Sequence, residues 1–294
     1  MTNIHFIINP IAGSAKSILN EGLLLKYFDK ESYHIVVKYS DFKKHAIQLT
    51  LESIENQAHI IVACGGDGTI NEVASCLIHT PIILGVIPTG SGNGLAATLN
   101  IPKNIINAIA IIKQQKTKLI DAGKLNDKMF FSNSGIGFDA QVVKHYESSG
   151  QRKLPSYIKA CLRALKSFKG KGNIRAHING EELHLDPFLI FASNSNEMGY
   201  NVSLTPRASI QDGVLDVLMV PKMNMIKTLC FGFLILFKKH HLFPGVKAYT
   251  TTKMTLSLSS QNVFETQIDG EFFETHTNII NISILENALH VIAS

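Results

Sequence analysis

Three glycine-bearing loops carry the residue types that could bind a polyphosphate and transfer phosphate from it. The sharpest is Gly65-Gly66-Asp67-Gly68-Thr69, followed by Asn71 and Glu72, directly after the apolar run Ile60–Ala63. Consecutive glycines let backbone amides approach a polyphosphate, and a carboxylate such as Asp67 can hold a metal ion or accept a hydroxyl proton. The alternative is a tight turn in which Asp67 only caps the following helix.

The other two loops also follow apolar runs and precede helix-period segments. Asn9-Pro10-Ile11-Ala12-Gly13 is followed by Lys16, and backbone amides plus a lysine at a helix start form an anion site, although the Walker A spacing is absent. Pro88-Thr89-Gly90-Ser91-Gly92-Asn93-Gly94 offers hydroxyls and bare amides to a nucleotide. The alternative for the loop at 9–13 is a plain strand-to-helix turn, and the alternative for the loop at 88–94 is a flexible linker. Because all three loops follow N-terminal strands, we expect them to meet at one edge of one sheet.

The elements that must position these loops can be predicted from the apolar pattern. Apolar runs at 4–8, 33–39, 60–63 and 82–87 alternate with helix-period segments at 14–28, 43–56 and 69–77. This pattern indicates a mostly parallel sheet with helices on both faces. After Asp121, short strands at 128–134, 173–178, 187–193, 214–220, 254–258 and 264–268, with helices at 155–169 and 222–238, predict an antiparallel β-sandwich. We therefore expect an α/β domain at 1–120 and a β-sandwich domain at 121–287.

Composition limits the classes of function. A chain of 294 residues is long enough for two domains, and its net charge of +5 suits an anionic ligand or membrane surface better than it suits nucleic acid. The four cysteines form no CxxC pair, so we expect buried, reduced thiols at Cys64, Cys76, Cys161 and Cys230. No secretory signal is evident, and the longest apolar run, 229–237, is too short to span a membrane. We expect a cytoplasmic protein.

The motifs together resemble the diacylglycerol kinase catalytic domain family, which includes bacterial lipid kinases, sphingosine kinases and ceramide kinases. The resemblance implies an N-terminal domain akin to those of NAD kinase and phosphofructokinase, a C-terminal β-sandwich, and an ATP site in the cleft between them. It also implies that 288–294 return to the first domain. The residues expected to bind the nucleotide are Asn9, Pro10, Gly13, Lys16, Ser40, Gly65, Gly66, Asp67, Gly68, Thr69, Asn71, Glu72, Thr89, Gly90, Ser91 and Asn93.

Two C-terminal segments hold further candidates. Gly135–Ala140 fits the dinucleotide fingerprint GxGxxA, but no acidic residue follows at the required spacing, so that reading is rejected. The resemblance instead places Asp139 near the polar head of the acceptor, with a helix cap as the alternative. The segment 209–217 resembles the loop in which bacterial members hold a structural Mg²⁺. Its ligands would be Asp212 and the carbonyls of Ser209 and Val214, unless the segment is a simple Asp-Gly hairpin.

A third segment, Asp269-Gly270-Glu271, resembles the DGE segment from which a carboxylate of the family is proposed to deprotonate the lipid hydroxyl. Phosphoryl transfer depends mainly on positioning and charge neutralisation, with a carboxylate to orient or deprotonate the acceptor. A hairpin turn would have the same sequence. Whether Asp269, Glu271 or Asp67 is the catalytic base stays open.

A basic amphipathic segment at 155–169 is a candidate for contact with anionic lipid heads. Ile158, Leu162 and Leu165 form one stripe and Lys159, Arg163 and Lys166 another, and Lys238-Lys239 follow the apolar run at 229–237. A solvated basic face is the alternative. His240-His241 lacks metal-site spacing, and we expect both residues at the surface.

The leading hypothesis is an ATP- and Mg²⁺-dependent lipid kinase that phosphorylates a hydroxyl of diacylglycerol or of a sphingoid-like lipid. The acceptor stays open because Gly94 stands where bacterial diacylglycerol kinases usually have an aspartate. NAD kinase, which shares the GGDGT motif, and a catalytically silent lipid-binding regulatory protein are the alternatives. We expect a lipid as substrate and no nucleic acid, with a homodimer and peripheral membrane contact left open.

Overall fold

The chain folds into two compact units, the first comprising Met1–Ile120 with Asn287–Ser294 and the second Asp121–Glu286. The computed structural model describes residues 1–13, 19–150, 154–168, 170, 172–197, 203–258 and 263–294. Lys16, one of the predicted nucleotide-binding residues, lies outside these residues. Within the described ranges, every helix is too short or too polar to cross a membrane.

Strands and helices alternate through the first unit. The elements are β1 (Thr2–Ile8), α1 (Glu21–Tyr27), β2 (Tyr33–Tyr39), α2 (His45–Glu55), β3 (Ile60–Gly65), α3 (Asp67–Cys76), β4 (Ile83–Pro88), α4 (Gly94–Thr98) and α5 (Ile105–Gln114). The four strands are parallel in the order β2-β1-β3-β4, and β3 is buried along its whole length, as expected for a central strand. Near the chain end, Val291 pairs in parallel with Leu84 of β4.

Short antiparallel strands dominate the second unit. Its elements, two of which extend across the boundary, are β5 (Thr117–Leu125), β6 (Lys128–Phe130), β7 (Asn133–Gly137), α6 (Phe138–Ser148), α7 (Leu154–Ser167), β8 (Ile174–Ile178), β9 (Glu181–Leu185), β10 (Pro187–Ser193), β11 (Leu215–Pro221), α8 (Met225–Leu236), a 3-10 turn (His240–Leu242), β12 (Lys247–Thr251), β13 (Lys253–Leu258), β14 (Glu265–Ile268), β15 (Glu271–Glu274) and β16 (Ile279–Ile292). One sheet has the order β12-β11-β10-β7-β14-β15, and β16, β13, β8 and β9 are neighbours in the other.

The two sheets of the second unit pack face to face. Alternate residues of β8, such as Ile174 and Ile178, share one apolar core with Ile190 of β10 and Val217 of β11. The opposite face of the six-stranded sheet is covered as well, because Phe191 and Leu218 pack with Phe231 of α8 and with Leu165 of α7. The predicted fold class, a parallel α/β domain followed by an antiparallel β-sandwich, is confirmed.

Two predicted elements have different limits. The predicted strand 128–134 is two strands, β6 and β7, because Phe131 and Ser132 between them bind a side chain rather than a strand partner. The helix predicted from residue 14 begins at Glu21, where the Asn20 side chain accepts the N–H of Leu23 and caps it. Residues 14–18 lie outside the described part of the chain.

Two predictions about exposure are wrong. His240 is buried, not at the surface, because its Nε2 bonds to the carbonyl of Leu204 (2.7 Å). Cys230 is exposed on α8, whereas Cys64 is buried and Cys76 and Cys161 are partly buried. Burial raises the pKa of the Cys76 thiol to about 11, with a further contribution from the charge of Glu72.

Candidate active site

The three glycine-bearing loops meet at the carboxyl ends of β1, β3 and β4. The N–H of Asn9 donates to the carbonyl of Cys64 (2.9 Å), and the N–H of Thr89 donates to the carbonyl of Gly65 (2.9 Å). The side-chain amide of Asn9 also donates to Thr69 Oγ1 (3.0 Å). The loops are therefore one structure, which we call the glycine cradle and define as residues 9–13, 65–69 and 88–94.

Close backbone approach requires glycine at two positions of the cradle. A Cβ built on Gly90 would lie 2.5 Å from the Cα of Gly66. Gly13 has a φ of +67°, and a Cβ there would collide with the carbonyl oxygen of Thr89. Any side chain at either position would force the loops apart, so these glycines keep the three loops in contact.

Asp67 orders the third loop of the cradle. Its Oδ2 accepts the N–H of Asn93 and its Oδ1 accepts the N–H of Gly94, both at 2.7 Å. Asn93 has a φ of +63° and is the N-cap residue of α4, but its own side chain makes no capping bond. The carboxylate of Asp67, the first residue of α3, therefore caps a different helix, α4.

Ser40, next to the cradle, and two cradle residues, Pro10 and Ser91, complete the predicted nucleotide-binding residues outside α3. Ser40 lies beside the first loop, since its N–H donates to the carbonyl of Ile8 (2.9 Å). Pro10 lines a cavity of about 30 Å³ whose other walls are Ile8, Asn9, Ala12, Leu19, Tyr39, Cys64 and Thr89. The carbonyl of Ser91 accepts a bond from the Lys103 ammonium (3.1 Å).

The remaining three predicted residues lie on α3. Gly68 is its second residue. The Oδ1 of Asn71 accepts the hydroxyl of Ser75 (3.2 Å), and the Oε1 of Glu72 accepts the N–H of Lys44 (3.0 Å). These bonds link Asn71 to the next turn of the helix and Glu72 to the residue that precedes α2.

Two buried polar atoms of the cradle indicate that it is built for a ligand. Thr89 Oγ1 and Asn93 Oδ1 are both buried, and neither has a hydrogen-bond partner among the described residues. Buried polar atoms are normally paired, so an orphaned hydroxyl and an orphaned amide oxygen in one loop need an explanation. A bound polar molecule that accepts from Thr89 and donates to Asn93 would satisfy both, and a nucleotide has groups of both kinds.

A buried polar network surrounds Asp139 in the second unit. Gln267 donates through Nε2 to Asp139 Oδ2 (2.7 Å) and to Asn133 Oδ1 (2.8 Å), and its Oε1 accepts the N–H of Gly270 (2.8 Å). Burial raises the pKa of Asp139 to about 6, against the opposing effect of the bond from Gln267. The N-cap residue of α6 is Gly137, so Asp139 lies inside the helix, in its first turn.

Asp269 fixes the segment between β6 and β7. Its Oδ2 accepts the N–H of Phe131 (2.9 Å), and its Oδ1 accepts those of Ser132 (2.8 Å) and Asn133 (3.0 Å). Asp269 and Gly270, both with positive φ, form the turn of the β14–β15 hairpin. The backbone of the Asp269-Gly270-Glu271 segment is thus the hairpin turn given as the alternative. The Asp269 carboxylate, in addition, binds the segment 131–133, which is far away in the sequence.

Glu271 and Asp139 are linked through the same hairpin. Glu271 is the first residue of β15, is partly exposed and pairs with Ile268 across the hairpin. The N–H of Gly270 binds Gln267, which binds Asp139. The structure thus brings three of the predicted residues, Asp139, Asp269 and Glu271, onto one connected hydrogen-bonded framework.

The predicted metal loop is tied to Asp121. The Oδ2 of Asp121 accepts the N–H of Gly213 (2.9 Å), and the N–H of Asp121 donates to the carbonyl of Ile210 (2.7 Å). Within the loop, Asp212 Oδ1 accepts the N–H of Val214 (3.2 Å), and Ser209 Oγ accepts the N–H of Gln211 (3.3 Å).

Two carboxylates, Asp212 and Asp216, interact at this loop, with the Arg207 cation near them. The pKa of Asp216 is raised, mainly by burial and further by the charge of Asp212, and Arg207 opposes the effect. Nowhere in the described ranges do three or more His, Cys, Asp or Glu side chains form a metal-binding group. The predicted site uses a different donor set, one carboxylate and two carbonyls, and these hard oxygen ligands suit Mg²⁺.

The sequence analysis did not assign Gln267 or Asn133 to a site. Gln267 is nevertheless the residue that joins Asp139 to the Asp269–Glu271 turn, and it is buried. The sequence held no clear signal for this role, because Gln267 follows Glu265 and Thr266 in a segment that is as polar as it is apolar.

The fold and the cradle define a class: a parallel α/β unit with glycine-bearing loops in contact at its strand ends, followed by an antiparallel β-sandwich. The diacylglycerol kinase catalytic domain matches residues 3–125, and the YegS C-terminal NAD kinase beta sandwich-like domain matches residues 133–293. The chain belongs to the family that these two domains define, a family of lipid kinases, and is thus a member of a phosphotransferase family.

Several known proteins are similar over almost the whole chain. A diacylglycerol kinase from Staphylococcus saprophyticus subsp. saprophyticus is 28% identical over 91% of this chain and 88% of its own. "Probable lipid kinase YegS-like" from Pectobacterium atrosepticum is 26% identical over 89% of this chain and 87% of its own. The crystal structure of a diacylglycerol kinase from Bacillus anthracis str. Sterne superposes with a TM-score of 0.79 at 20% identity, covering 99% and 97% of the two chains, which shows the shared fold.

Proposed function

We propose that this protein transfers the γ-phosphoryl group of ATP to the hydroxyl of a lipid, with diacylglycerol as the first acceptor to test. The observation that carries the proposal is the glycine cradle, whose three loops are held in contact and which contains two buried polar atoms without partners among the described residues. Membership of a lipid kinase family supports the same reaction. In relatives named diacylglycerol kinase the acceptor is part of the name.

The cradle residues divide into two roles in this proposal. Thr89 and Asn93 offer a hydroxyl and an amide oxygen to the nucleotide, and the backbone of Gly65, Gly66 and Gly90 lies along its phosphates. Asp67 holds the third loop in place through two N–H bonds. A carboxylate with both oxygens engaged by backbone N–H groups acts here as a positioning residue for the nucleotide loop.

Two places in the chain fit a divalent cation by their donor chemistry. Asp67, in the cradle, would lie near the phosphates, and Asp212 with the carbonyls of Ser209 and Val214 would hold a structural Mg²⁺ in the second unit. When bound at the phosphates, Mg²⁺ neutralises the charge that develops during phosphoryl transfer. The charge of Asp212 contributes, after burial, to the raised pKa of Asp216, and a cation at the second place would relieve that repulsion.

The carboxylates of the β14–β15 turn are the candidates for accepting the proton of the lipid hydroxyl. The three N–H bonds to Asp269 give its carboxylate a fixed position, and Glu271 follows two residues later at a partly exposed position. Asp139, held by Gln267, would lie at the polar head of the acceptor. The first unit would then bind the nucleotide and the second the lipid. The protein would be a cytoplasmic enzyme that contacts the membrane surface peripherally.

A transfer assay with several acceptors tests this proposal. Purified protein would be incubated with γ-labelled ATP, Mg²⁺ and, in turn, micellar diacylglycerol, ceramide, sphingosine and NAD. Label in the diacylglycerol or sphingoid product supports the proposal. Transfer only to NAD would make the protein an NAD kinase, and ATP binding without transfer to any acceptor would make it a silent lipid-binding protein.

An Asp67→Asn variant connects the assay to the cradle. Asparagine keeps one acceptor oxygen but turns an NH₂ group toward the second N–H, so one charge-assisted bond of about 1.5–3 kcal/mol is lost. We expect ATP to bind about 10- to 100-fold more weakly, because the third loop is no longer held. Asp127→Asn, in the exposed turn after β5, is the matched control and should bind ATP like the wild type.

A further inference from the structure

The hairpin that carries Asp269 and Glu271 lies at the edge of its sheet. Strand β15 is the last in the order β12-β11-β10-β7-β14-β15, and among the described residues β14 is the one strand that pairs with it. An edge strand has a second row of N–H and C=O groups that no strand pairs. The position of β15 therefore depends on contacts from outside the sheet.

Two glutamates stand directly opposite each other in this hairpin. Glu265 of β14 and Glu274 of β15 are cross-strand partners, and like charges in such a pair destabilise the pairing. Lys144 of α6 binds both carboxylates, because its Nζ is 2.9 Å from Glu265 Oε1 and 3.5 Å from Glu274 Oε1. Gln141 Nε2 donates to the other oxygen of Glu265. Lys144 thus offsets the repulsion and ties both strands to one helix.

A third side chain of α6 contacts the residue that follows Glu271. Glu147 Oε1 accepts the N–H of Phe272 (3.2 Å), so a carboxylate takes the place of a strand partner for β15. The Lys144 ammonium lies over the ring of the same Phe272, 4.8 Å from its centroid. Phe272 is therefore held at its backbone and at its ring. We call Gln141, Lys144 and Glu147 the α6 clamp.

Helix stability does not account for Glu147. It is the next-to-last residue of α6, which spans Phe138–Ser148. The carboxyl end of a helix carries a partial negative charge, so a carboxylate in the last turn destabilises the helix. The contact that Glu147 makes with the hairpin offsets this effect. The helix is also anchored without the clamp, because Val142 packs with Ala160 and Ala164 of α7.

We propose that Lys144 and Glu147 are positioning residues for phosphoryl transfer, which hold the start of β15 so that the Glu271 carboxylate keeps one position relative to the lipid hydroxyl. The inference deepens the proposed function and rests on it, since a carboxylate of this turn there accepts the hydroxyl proton. A displacement of about 1 Å can cost a catalytic group about 100-fold in rate, so a clamp on an edge strand can control kcat without touching the reacting atoms. Exposed ion pairs contribute little to stability, and the side chains of Lys144 and Glu274 are 42% and 52% exposed. What this ion cluster contributes is therefore the position of the hairpin.

Hydrogen exchange tests the positioning without any reaction. The N–H of Phe272 should exchange slowly in the wild type, because Glu147 binds it. Glu147→Met removes the acceptor and should speed this exchange about tenfold, whereas Glu147→Gln keeps an acceptor oxygen and should not. Glu181→Met, at an exposed position of the edge strand β9, is the matched control and should leave the exchange at Phe272 unchanged. Equal exchange at Phe272 in the wild type and in Glu147→Met would overturn the proposal.

Steady-state kinetics with ATP and micellar diacylglycerol separate positioning from stability. Glu147→Met and Lys144→Met should each lower kcat about tenfold, with the KM for ATP within about twofold of the wild type, because the clamp lies outside the glycine cradle. Glu147→Gln and Lys144→Arg keep the hydrogen-bonding groups and should keep kcat near the wild-type value. The measurements belong at a temperature where circular dichroism shows the variants fully folded. A merely structural contact would leave kcat unchanged there, and that result would refute the positioning role.

A charge-rescue variant tests the electrostatic part of the clamp. Lys144→Met leaves Glu265 and Glu274 opposed, and the added change Glu274→Gln removes that repulsion. Lys144→Met/Glu274→Gln should therefore have a kcat about threefold higher than that of Lys144→Met. Equal kcat in these two variants would contradict the role of the like-charge pair. A wild type that transfers no label would refute the proposed function, whereas wild-type kcat in the clamp variants of an active enzyme would refute this inference alone.

Discussion

Replacing Asp139 with asparagine should change stability and activity in opposite directions. The carboxyl group is buried in the first turn of α6, and its Oδ2 accepts a bond from Gln267 (2.7 Å). An asparagine oxygen can accept the same bond, so the variant keeps this contact, removes the charge and replaces the second oxygen with an NH₂ group. The variant therefore separates the electrostatic cost of the buried carboxylate from its packing.

The magnitude follows from the pKa. Burial raises the pKa of Asp139 from the usual 3.8 to about 6, so the folded state binds this proton more tightly than the unfolded state does. The stabilising contribution is fully present below about pH 4 and is lost as the pH rises through about 6. At neutral pH the ionised form thus costs the folded protein about 3 kcal/mol relative to the neutral acid.

The difference in unfolding free energy between Asp139→Asn and the wild type should therefore change by about 3 kcal/mol between about pH 4 and about pH 8, in favour of the variant at high pH. The NH₂ group of asparagine, if unsatisfied, would lower the unfolding free energy of the variant by the same amount at both pH values. The change of about 3 kcal/mol with pH would therefore remain. The nearby Cys161 thiol does not titrate in this range, since burial and the charge of Asp139 raise its pKa to about 11.

Urea unfolding followed by circular dichroism at several pH values is the assay. Asp127→Asn, at an exposed turn position, is the control and should show no such pH dependence. Phosphoryl transfer by Asp139→Asn should fall, because the proposed role of this carboxylate at the acceptor's polar head needs its charge. A difference between variant and wild type that stays constant with pH would refute the account of the buried carboxylate.

Two further predictions concern the cradle and the β14–β15 turn. Gly90→Ala should reduce ATP affinity at least 100-fold by calorimetric titration, because the new Cβ would lie 2.5 Å from the Cα of Gly66, whereas Gly232→Ala, with open space around its Cβ, should bind ATP normally. Asp269→Asn should lower the melting temperature, because at least one of the three N–H bonds to the carboxylate is lost. If Glu271 is the catalytic base, Glu271→Gln should lower kcat and leave the melting temperature unchanged. Equal melting temperatures in the wild type and the Asp269 variant would contradict the positioning role.

The sequence was most informative where backbone geometry restricts residue choice. The cradle could be predicted because glycine strings such as Gly65-Gly66 stand directly after apolar runs, and parallel strands bring their carboxyl ends to one edge. The β-sandwich could be predicted from short strands divided by turn residues. These features depend on local sequence and on general rules of sheet topology.

Long-range side-chain bonds account for what the sequence did not predict. The break between β6 and β7 arises from Asp269, more than a hundred residues later in the chain, and the burial of His240 depends on a bond to Leu204. The sequence left a cap on its own helix as the alternative role of Asp67, whereas the structure shows its carboxylate capping α4. Hydrogen bonds between distant segments leave no periodic signal, so each requires coordinates.

The most direct test of the central claim is the transfer of label from γ-labelled ATP to diacylglycerol by wild-type protein in the presence of Mg²⁺. We predict labelled phosphatidic acid from the wild type and from Asp127→Asn, and a severe loss of it from Asp67→Asn. The absence of labelled lipid product with every lipid acceptor, from a folded wild-type protein that binds ATP, would contradict the proposal that this chain is an ATP-dependent lipid kinase.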